Sequence, residues 1–270
     1  MLHFSVLISI YHKEKPNYLS ESLDSILNQS LLPSEIVLVK DGPIPESLNL
    51  VIEEFQRKLP LKVVTLSTNQ GLGKALSEGL KQCSYELVAR MDSDDIAKSN
   101  RFEKQVEVFS NNSDIDIVSA WVDEFEGSIG NIVATRKLPE FHEDILIFAK
   151  SRCPINHPVA MFKKSAVSAA GGYKPFPLFE DYYLWVRMLL NNSKFYNLQD
   201  SLLYFRASPE MYKRRGGWKY ANDELRFQNK LRKLKFISFS RYIKNIVPRL
   251  FVRLAPNNVR SLFYKKFLRN

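Results

Sequence analysis

The sequence predicts an α/β fold: a mainly parallel, Rossmann-like sheet with flanking helices and a basic helical C-terminal extension. Three observations carry that reading. Buried-strand runs alternate with segments of helical spacing three times in the first 90 residues, with short connections, as in parallel sheets covered on both faces. Polar residues gather where those strands end, and such sheets bind ligands beyond the carboxyl ends of their strands. The charge also changes sign along the chain. Residues 206–270 hold 18 Lys and Arg against 3 Asp and Glu, a net of +15, while residues 1–205 hold 21 against 26, a net of −5.

The first strand is His3 to Tyr11 (HFSVLISIY), rich in β-branched and aromatic residues. A loop from His12 to Tyr18 contains Pro16. The next segment, Leu19 to Gln29, places Leu19, Leu23, Ile26 and Leu27 at helical spacing. Glu35 to Lys40 (EIVLVK) is the second strand, ending at Asp41-Gly42, and Ser47 to Leu59 is the second helix. Leu61 to Leu66 is the third strand. A turn over Asn69 to Lys74 carries Gly71 and Gly73, and a helix follows from Ala75 to Gln82. The fourth strand, Leu87 to Ala89, runs into Arg90-Met91-Asp92-Ser93-Asp94-Asp95.

The next part is mixed. Arg101 to Phe109 is an amphipathic helix, and Asp116 to Glu124 is a strand that pairs with Ile129 to Arg136 as a hairpin. His142 to Lys150 is helical, Asn156 to Phe162 is a strand with a polar start, and Ser165 to Ala170 is a short helix. Pro175 and Pro177 hold an extended loop that leads into a helix from Glu180 to Leu190.

Two acidic groups carry candidate chemistry. Asp92, Asp94 and Asp95 are three carboxylates in four positions; they repel one another, and burying one unpaired is costly. A divalent cation, Mg²⁺ or Mn²⁺, resolves the conflict, because both take oxygen ligands and are held by one or two carboxylates plus substrate phosphates. The competing reading is a polar turn in which Asp92 or Ser93 caps the next helix. Glu180 and Asp181 also have two readings. Acids in a first helical turn favour the helix dipole by ~0.3–1 kcal/mol, and a carboxylate at a helix start is a well-placed general base. Ser9, Tyr11, Asp41, Asn69 and Gly71 sit at the other strand ends. Each alone reads as an ordinary turn; together they supply one rim.

Composition sets the outer bounds. Hydrophobic residues make up 45% of 270, ample for a core. Cys83 and Cys153 have neither metal-ligand nor disulfide spacing and fit a reducing compartment. No secretory signal is expected, and no apolar stretch reaches the ~18 residues that span a bilayer.

In order, "SVLISIY", "EIVLVKDG", "NQGLGKALSEGL", "VARMDSDDI" with "RFEKQV", "NHPVAMF" and "FEDYYLWVRML" resemble glycosyltransferase family 2, the inverting enzymes of the GT-A fold. The likeness runs over residues 4–206, three quarters of the chain, and "MDSDDI" and "EDYYLW" at this separation are its specific signals. "SIYHKEKP", "VKDGP" and "YKRRGG" draw it toward bacterial O-antigen, capsule and exopolysaccharide transferases. The resemblance implies a GT-A domain over 1–206 that moves a hexose, glucose or galactose, from a UDP-sugar to a lipid-linked sugar acceptor, N-acetylhexosamine-diphosphate-undecaprenol, in polysaccharide synthesis.

It implies roles at matching positions. Ser9, Tyr11 and Asp41 hold base and ribose, with Asn69 and Gly71 beside them. Lys74 and Arg90 lie near the ribose or diphosphate. Asp92, Asp94 and Asp95 hold the metal, and Asp92 also meets the nucleotide-sugar. Asp181 is the catalytic base, with Glu180 positioning the acceptor, and His157, Trp185, Arg214 and Arg215 face the acceptor. Many relatives carry a second acid where this chain has Lys40, which leaves Asp41 as the base contact. The Gln-x-x-Arg-Trp motif of processive members is absent, so transfer of one sugar is expected.

Residues 207–270 are the basic extension. Tyr212 to Trp218 is a basic, aromatic turn, Lys219 to Lys233 is helical, and beyond it apolar residues interleave with Lys and Arg. That mix fits an amphipathic segment on an anionic membrane surface or a helical cap packed on the body; the alternative functions for the chain are a basic nucleic-acid-binding protein and a non-catalytic nucleotide-sugar-binding relative. The expected location is cytoplasmic, peripheral on the inner face of the plasma membrane, with no nucleic acid as partner.

Overall fold

Strand β1 (Phe4–Ile10) is the hub of the sheet, flanked in parallel by β2 (Glu35–Lys40) and β4 (Leu87–Asp92). The computed structural model describes residues 2–207 and 217–254. Within β1 the side chains alternate between faces, as a pleat requires. Phe4, Val6, Ile8 and Ile10 share one core with Leu19, Leu23 and Ile26 of α1 (Pro16–Leu27) and Leu48, Ile52 and Phe55 of α2 (Glu46–Gln56). On the other face Leu7, Val37 and Val39 share a core with Leu76 and Leu80 of α3 (Leu72–Gln82) and with Leu184 and Trp185 of α7 (Glu180–Leu190).

β3 (Leu61–Thr65) pairs with β2, so the run β3-β2-β1-β4 is parallel throughout. Past β4 the sheet becomes mixed. β8 (Met161–Lys163) lies antiparallel to β4, and β6 (Ile115–Phe125) lies antiparallel to β8. β9 (Lys194–Arg206) runs parallel to β6, and β7 (Ile132–Arg136) forms the expected hairpin with β6. β5 (Ile96–Ala97) pairs with β9. The β1 register sets Ser9 opposite Val39 on one side and Asp92 on the other. The carboxyl ends of β1, β2 and β4 therefore open on one rim.

Three segments differ from the sequence pattern. α1 starts at Pro16 rather than Leu19, because a proline at the first helical position has no N–H to lose and a φ already suited to the helix. The strand expected over 156–162 is instead a 3₁₀ turn, His157–Val159, followed by the short β8; Pro158 cannot donate to a sheet ladder. The longest described strand, β9, covers a stretch where no element is expected. Asn197, Gln199 and Asp200 break its apolar run, and its pairing with β6 shifts register. Asn197 is buried there because its amide donates to the carbonyls of Pro139 (2.7 Å) and Pro154 (3.2 Å).

The remaining helices are α4 (Arg101–Asn111), α5 (His142–Ala149), α6 (Lys164–Ala169), α8 (Trp218–Lys233) and α9 (Phe239–Leu254). α8 and α9 pack on the body. Phe227 stacks on Phe179 with ring centroids 4.7 Å apart, and Asn245 donates to the Lys150 carbonyl at 2.8 Å. Arg249 pairs with Glu224 at 2.9 Å. One stripe of α9 still faces outward: Phe239 is 64% exposed, Ile243 43% and Val247 62%. Arg214 and Arg215, and the apolar residues expected near the C-terminus, lie outside the described residues.

Candidate active site

A cleft of about 1260 Å³ opens on the rim. It gathers Ser9, Tyr11, Asp41, Asn69, Gly71, Arg90, Asp92, Asp94, His157, Glu180 and Asp181 from six separate segments. A second groove, about 700 Å³, lies at the opposite ends of β6 and β9 and holds none of the expected site residues.

On the β2 side, Asp41 is buried, and its two carboxylate oxygens accept from the backbone N–H groups of Gln70 (2.7 Å) and Gly71 (2.9 Å). Asp41 thus holds the glycine turn against the rim. Gly42 makes this possible: its φ is +84°, and a Cβ there would sit 2.6 Å from the Asn69 nitrogen.

At the end of β4, Asp92, Asp94 and Asp95 bring carboxylate oxygens within 4.8 Å of one another. Asp92 pairs with Arg90, whose side chain is fully buried. Asp95 is 0% exposed; one oxygen accepts from the Arg206 N–H at 2.9 Å, and the other has no partner. Burial, with Asp92 and Glu14 nearby, pushes the Asp94 carboxyl up to about 7. Burial, then Asp94 and Asp92, holds Asp95 well above the usual carboxylate range. Hard oxygen donors this close, one of them orphaned, fit a divalent cation. The capped-turn reading fails, since no side chain caps α4 and no helix starts at Asp94.

Across the cleft, Glu180 and Asp181 open α7. Asp181 Oδ1 accepts from the Tyr182 N–H at 2.7 Å, and the Cys153 thiol stands 3.8 Å from Oδ2. Burial raises the Asp181 carboxyl; the Tyr182 N–H, Arg136 and Arg90 offset part of that. Burial raises Glu180 as well, with Asp181 adding to it. Gly73 on α3 leaves room for Glu180, since a Cβ there would lie 3.0 Å from its Cγ.

Several expected positions are corrected. Lys74 points to solvent and pairs with Glu78 at 2.7 Å, one helical turn along α3, so it does not reach the cleft. Trp185 is 0% exposed and packs against Phe162 and His157, out of an acceptor's reach. His157 borders the cleft, but its Nε2 is engaged with the Tyr173 hydroxyl at 2.9 Å, and burial, with Arg90 adding to it, holds its pKa well below the usual imidazole value. Asp95 lies behind Asp92 and Asp94 rather than on the cleft wall.

Other cleft residues have no sequence signal. Glu14 accepts from Ser93, and Arg136 stands at the end of β7. Arg206 donates from Nε to the Asp94 carbonyl at 2.8 Å and lies over the Tyr18 ring at 3.9 Å. These contacts join residues far apart in the chain, so no local motif announces them.

The mainly parallel sheet, with an acid trio at one strand end and the Glu180–Asp181 pair across the cleft, has the GT-A fold of glycosyltransferases. A model described as "Glycosyl transferase family 2" matches residues 5–168. The chain is 43% identical over 266 residues to a UDP-Gal:alpha-D-GlcNAc-diphosphoundecaprenol beta-1,3-galactosyltransferase of Escherichia coli, covering 98% of this chain and 96% of that one. It is 40% identical over 263 residues to the amylovoran biosynthesis glycosyltransferase AmsE of Erwinia amylovora, covering 97% and 98%. S. aureus TarS 1–349, solved in complex with UDP-GlcNAc, shares the fold at a TM-score of 0.68 and 19% identity, over 97% of this chain and 75% of that one. Of the longer TarS chain the protein spans 52%. The protein belongs to glycosyltransferase family 2. It is an enzyme of bacterial polysaccharide synthesis, and the choice between enzyme and nucleic-acid-binding protein falls to the enzyme.

Proposed function

We propose that the protein moves one hexose from a UDP-sugar to an N-acetylhexosamine carried on diphosphate-undecaprenol, with inversion. Galactose is the favoured donor sugar and GlcNAc the favoured acceptor sugar, supported by the name of the E. coli relative. The observation that carries the reading is the position of Asp181: a half-buried carboxylate of raised pKa, facing the same cleft as Asp92 and Asp94.

Asp181 takes the proton of the acceptor hydroxyl as that oxygen bonds to the anomeric carbon. The bond from that carbon to the UDP oxygen breaks, and UDP leaves with the electron pair. An α-linked donor thus gives a β-linked product. Burial favours this base, because a carboxyl of raised pKa accepts a proton more readily. The Tyr182 N–H fixes its rotamer. Ser9, Tyr11, Asn69 and the turn held by Asp41 form the nucleoside end. Asp92 and Asp94, with Asp95 behind them, would hold a divalent ion, Mn²⁺ or Mg²⁺, whose chemistry there is to neutralise charge on the leaving diphosphate.

Residues 207–270 form the membrane and acceptor side of this reading, in the cytoplasm at the inner face of the plasma membrane. No described helix is long and apolar enough to cross a bilayer. The outward stripe of Phe239, Ile243 and Val247, with Lys244 exposed beside it, suits an anionic lipid surface. Flotation with anionic vesicles tests this: a variant with all three replaced by Ser that floats as well as wild type would rule the stripe out.

A donor panel against a synthetic GlcNAc-diphosphate-lipid, with and without EDTA, tests the reaction. The expected result is β-linked transfer from UDP-Gal, lost with EDTA. Transfer from no UDP-hexose would overturn it.

A further inference from the structure

Three arginines line the cleft, and two of them are occupied. Arg90 is paired with Asp92. Arg206 donates to the Asp94 carbonyl and to Glu21, and covers the Tyr18 ring. Arg136 differs: among the described residues its guanidinium has no hydrogen bond, ion pair or ring contact. Its backbone, however, is fixed, paired opposite Val122 in the β6–β7 hairpin, and its carbonyl accepts from the Asn156 amide at 3.4 Å. The side chain is half-buried. A guanidinium held on a fixed strand, partly out of water and without an acceptor, is a prepared site for an anion, and its planar fork suits phosphate.

The position narrows the anion. Arg136 acts on Asp181 and on Cys153 beside it. The charges that act on Asp94 are instead Asp92, Glu14 and Arg90. Arg90 acts on both Asp94 and Asp181 but is bonded to Asp92, whereas Arg136 acts on Asp181 and is not among the charges on Asp94, which puts Arg136 toward the base's end of the cleft. In the proposed reaction the donor diphosphate lies at the trio. The group at the base is the acceptor sugar, whose own diphosphate stays attached at the anomeric carbon of the ring that presents the attacking hydroxyl.

We propose that Arg136 is the anion subsite of the acceptor, gripping the diphosphate that joins the acceptor sugar to its lipid. This rests on the functional reading above. It gives the enzyme a way to choose sugar-diphosphate-lipids over free glycosides and to hold the hydroxyl one pyranose ring away, at Asp181.

The test uses the full chain with two ligands: a GlcNAc-diphosphate-lipid acceptor, and the same lipid glycoside without phosphates as a competitive inhibitor. Arg136→Gln should raise the acceptor KM about 10- to 100-fold, the range for losing a charge-assisted contact. The gap between that KM and the Ki of the phosphate-free glycoside should collapse by the same factor. Arg136→Lys should fall between the two. UDP affinity and the melting temperature show that both variants fold. The proposal is overturned if the gap persists in Arg136→Gln. It is also overturned if the change appears in donor KM or UDP affinity, which would assign Arg136 to the donor, or as a shift in the acid limb of the pH profile with acceptor KM constant, which would make it a partner of Asp181. Failure of the wild type to use any sugar-diphosphate-lipid is a separate outcome that sinks the functional reading, and this one with it.

Discussion

At one end of the cleft Asp92, Asp94 and Asp95 crowd together, and each is tied to a basic residue's neighbourhood: Asp92 to the buried Arg90, Asp95 to the Arg206 N–H, and the Asp94 carbonyl to the Arg206 side chain. At the other end Asp181 meets its own helix's Tyr182 N–H and a thiol, and among the described residues no cation bonds to it. In the proposed reaction this contrast lets one cleft keep carboxylates for two tasks. A cluster that is to hold a cation beside a diphosphate must be locked in place. A base must keep its affinity for a proton, and a direct Arg or Lys partner would lower it. In the proposed reaction, loose tethering at Asp181 is therefore part of the chemistry.

Asp181→Asn should have the largest effect. Turnover should drop about 10²–10⁴-fold, the range for a positioned proton acceptor, while UDP binding is kept. The same variant should melt no lower than wild type at pH 8. Burial raises the folded-state pKa of Asp181 above its unfolded value, so its contribution to stability is complete below the unfolded pKa and is lost as pH rises through the folded pKa. As pH rises through the folded pKa the fold comes to carry an ionised, half-buried carboxylate that Asn removes, and the difference in melting temperature should close at acid pH. A variant turning over within tenfold of wild type would take Asp181 out of the role.

Asp92→Asn should act in the opposite sense on stability. It strands the Arg90 guanidinium, two of whose nitrogens already lack partners. Breaking a fully buried pair costs about 3–5 kcal/mol; with Asp92 partly exposed the expectation is about 1–3 kcal/mol, or roughly 3–10 °C in melting temperature without added metal. If Asp92→Asn and Asp181→Asn melt alike at pH 8, the contrast between the two ends is wrong.

The smallest effect is the acid limb of kcat/KM for the wild type. It should lie above the ordinary aspartate range, because burial disfavours the charged Asp181. A limb at or below that range would mean that another group is being titrated.

The strands β1 to β4 and their helices are legible in the sequence because their signals are local: alternation in Phe4–Ile10, helical spacing in Leu19–Ile26. β9 is not, because its polar residues are satisfied by carbonyls more than forty residues away. The site divides in the same way. Asp92, Asp94 and the Glu180-Asp181 pair stand out as clustered acids at element ends. Lys74 and Trp185 lie next to motifs in the sequence, but helical phase turns one to solvent and the other into the core.

The sequence by itself determined the alternating sheet, the acid trio, the Glu180-Asp181 pair and the family, since each is written in neighbouring residues. Tertiary structure alone decided which carboxylates face the cleft, that Asp41 holds the glycine turn, and that Arg136 has no partner among the described residues at the Asp181 end. The reason is physical. Periodicity and clustering arise within a few residues, whereas burial, charge pairing and the lack of a partner depend on what distant segments bring to the same place.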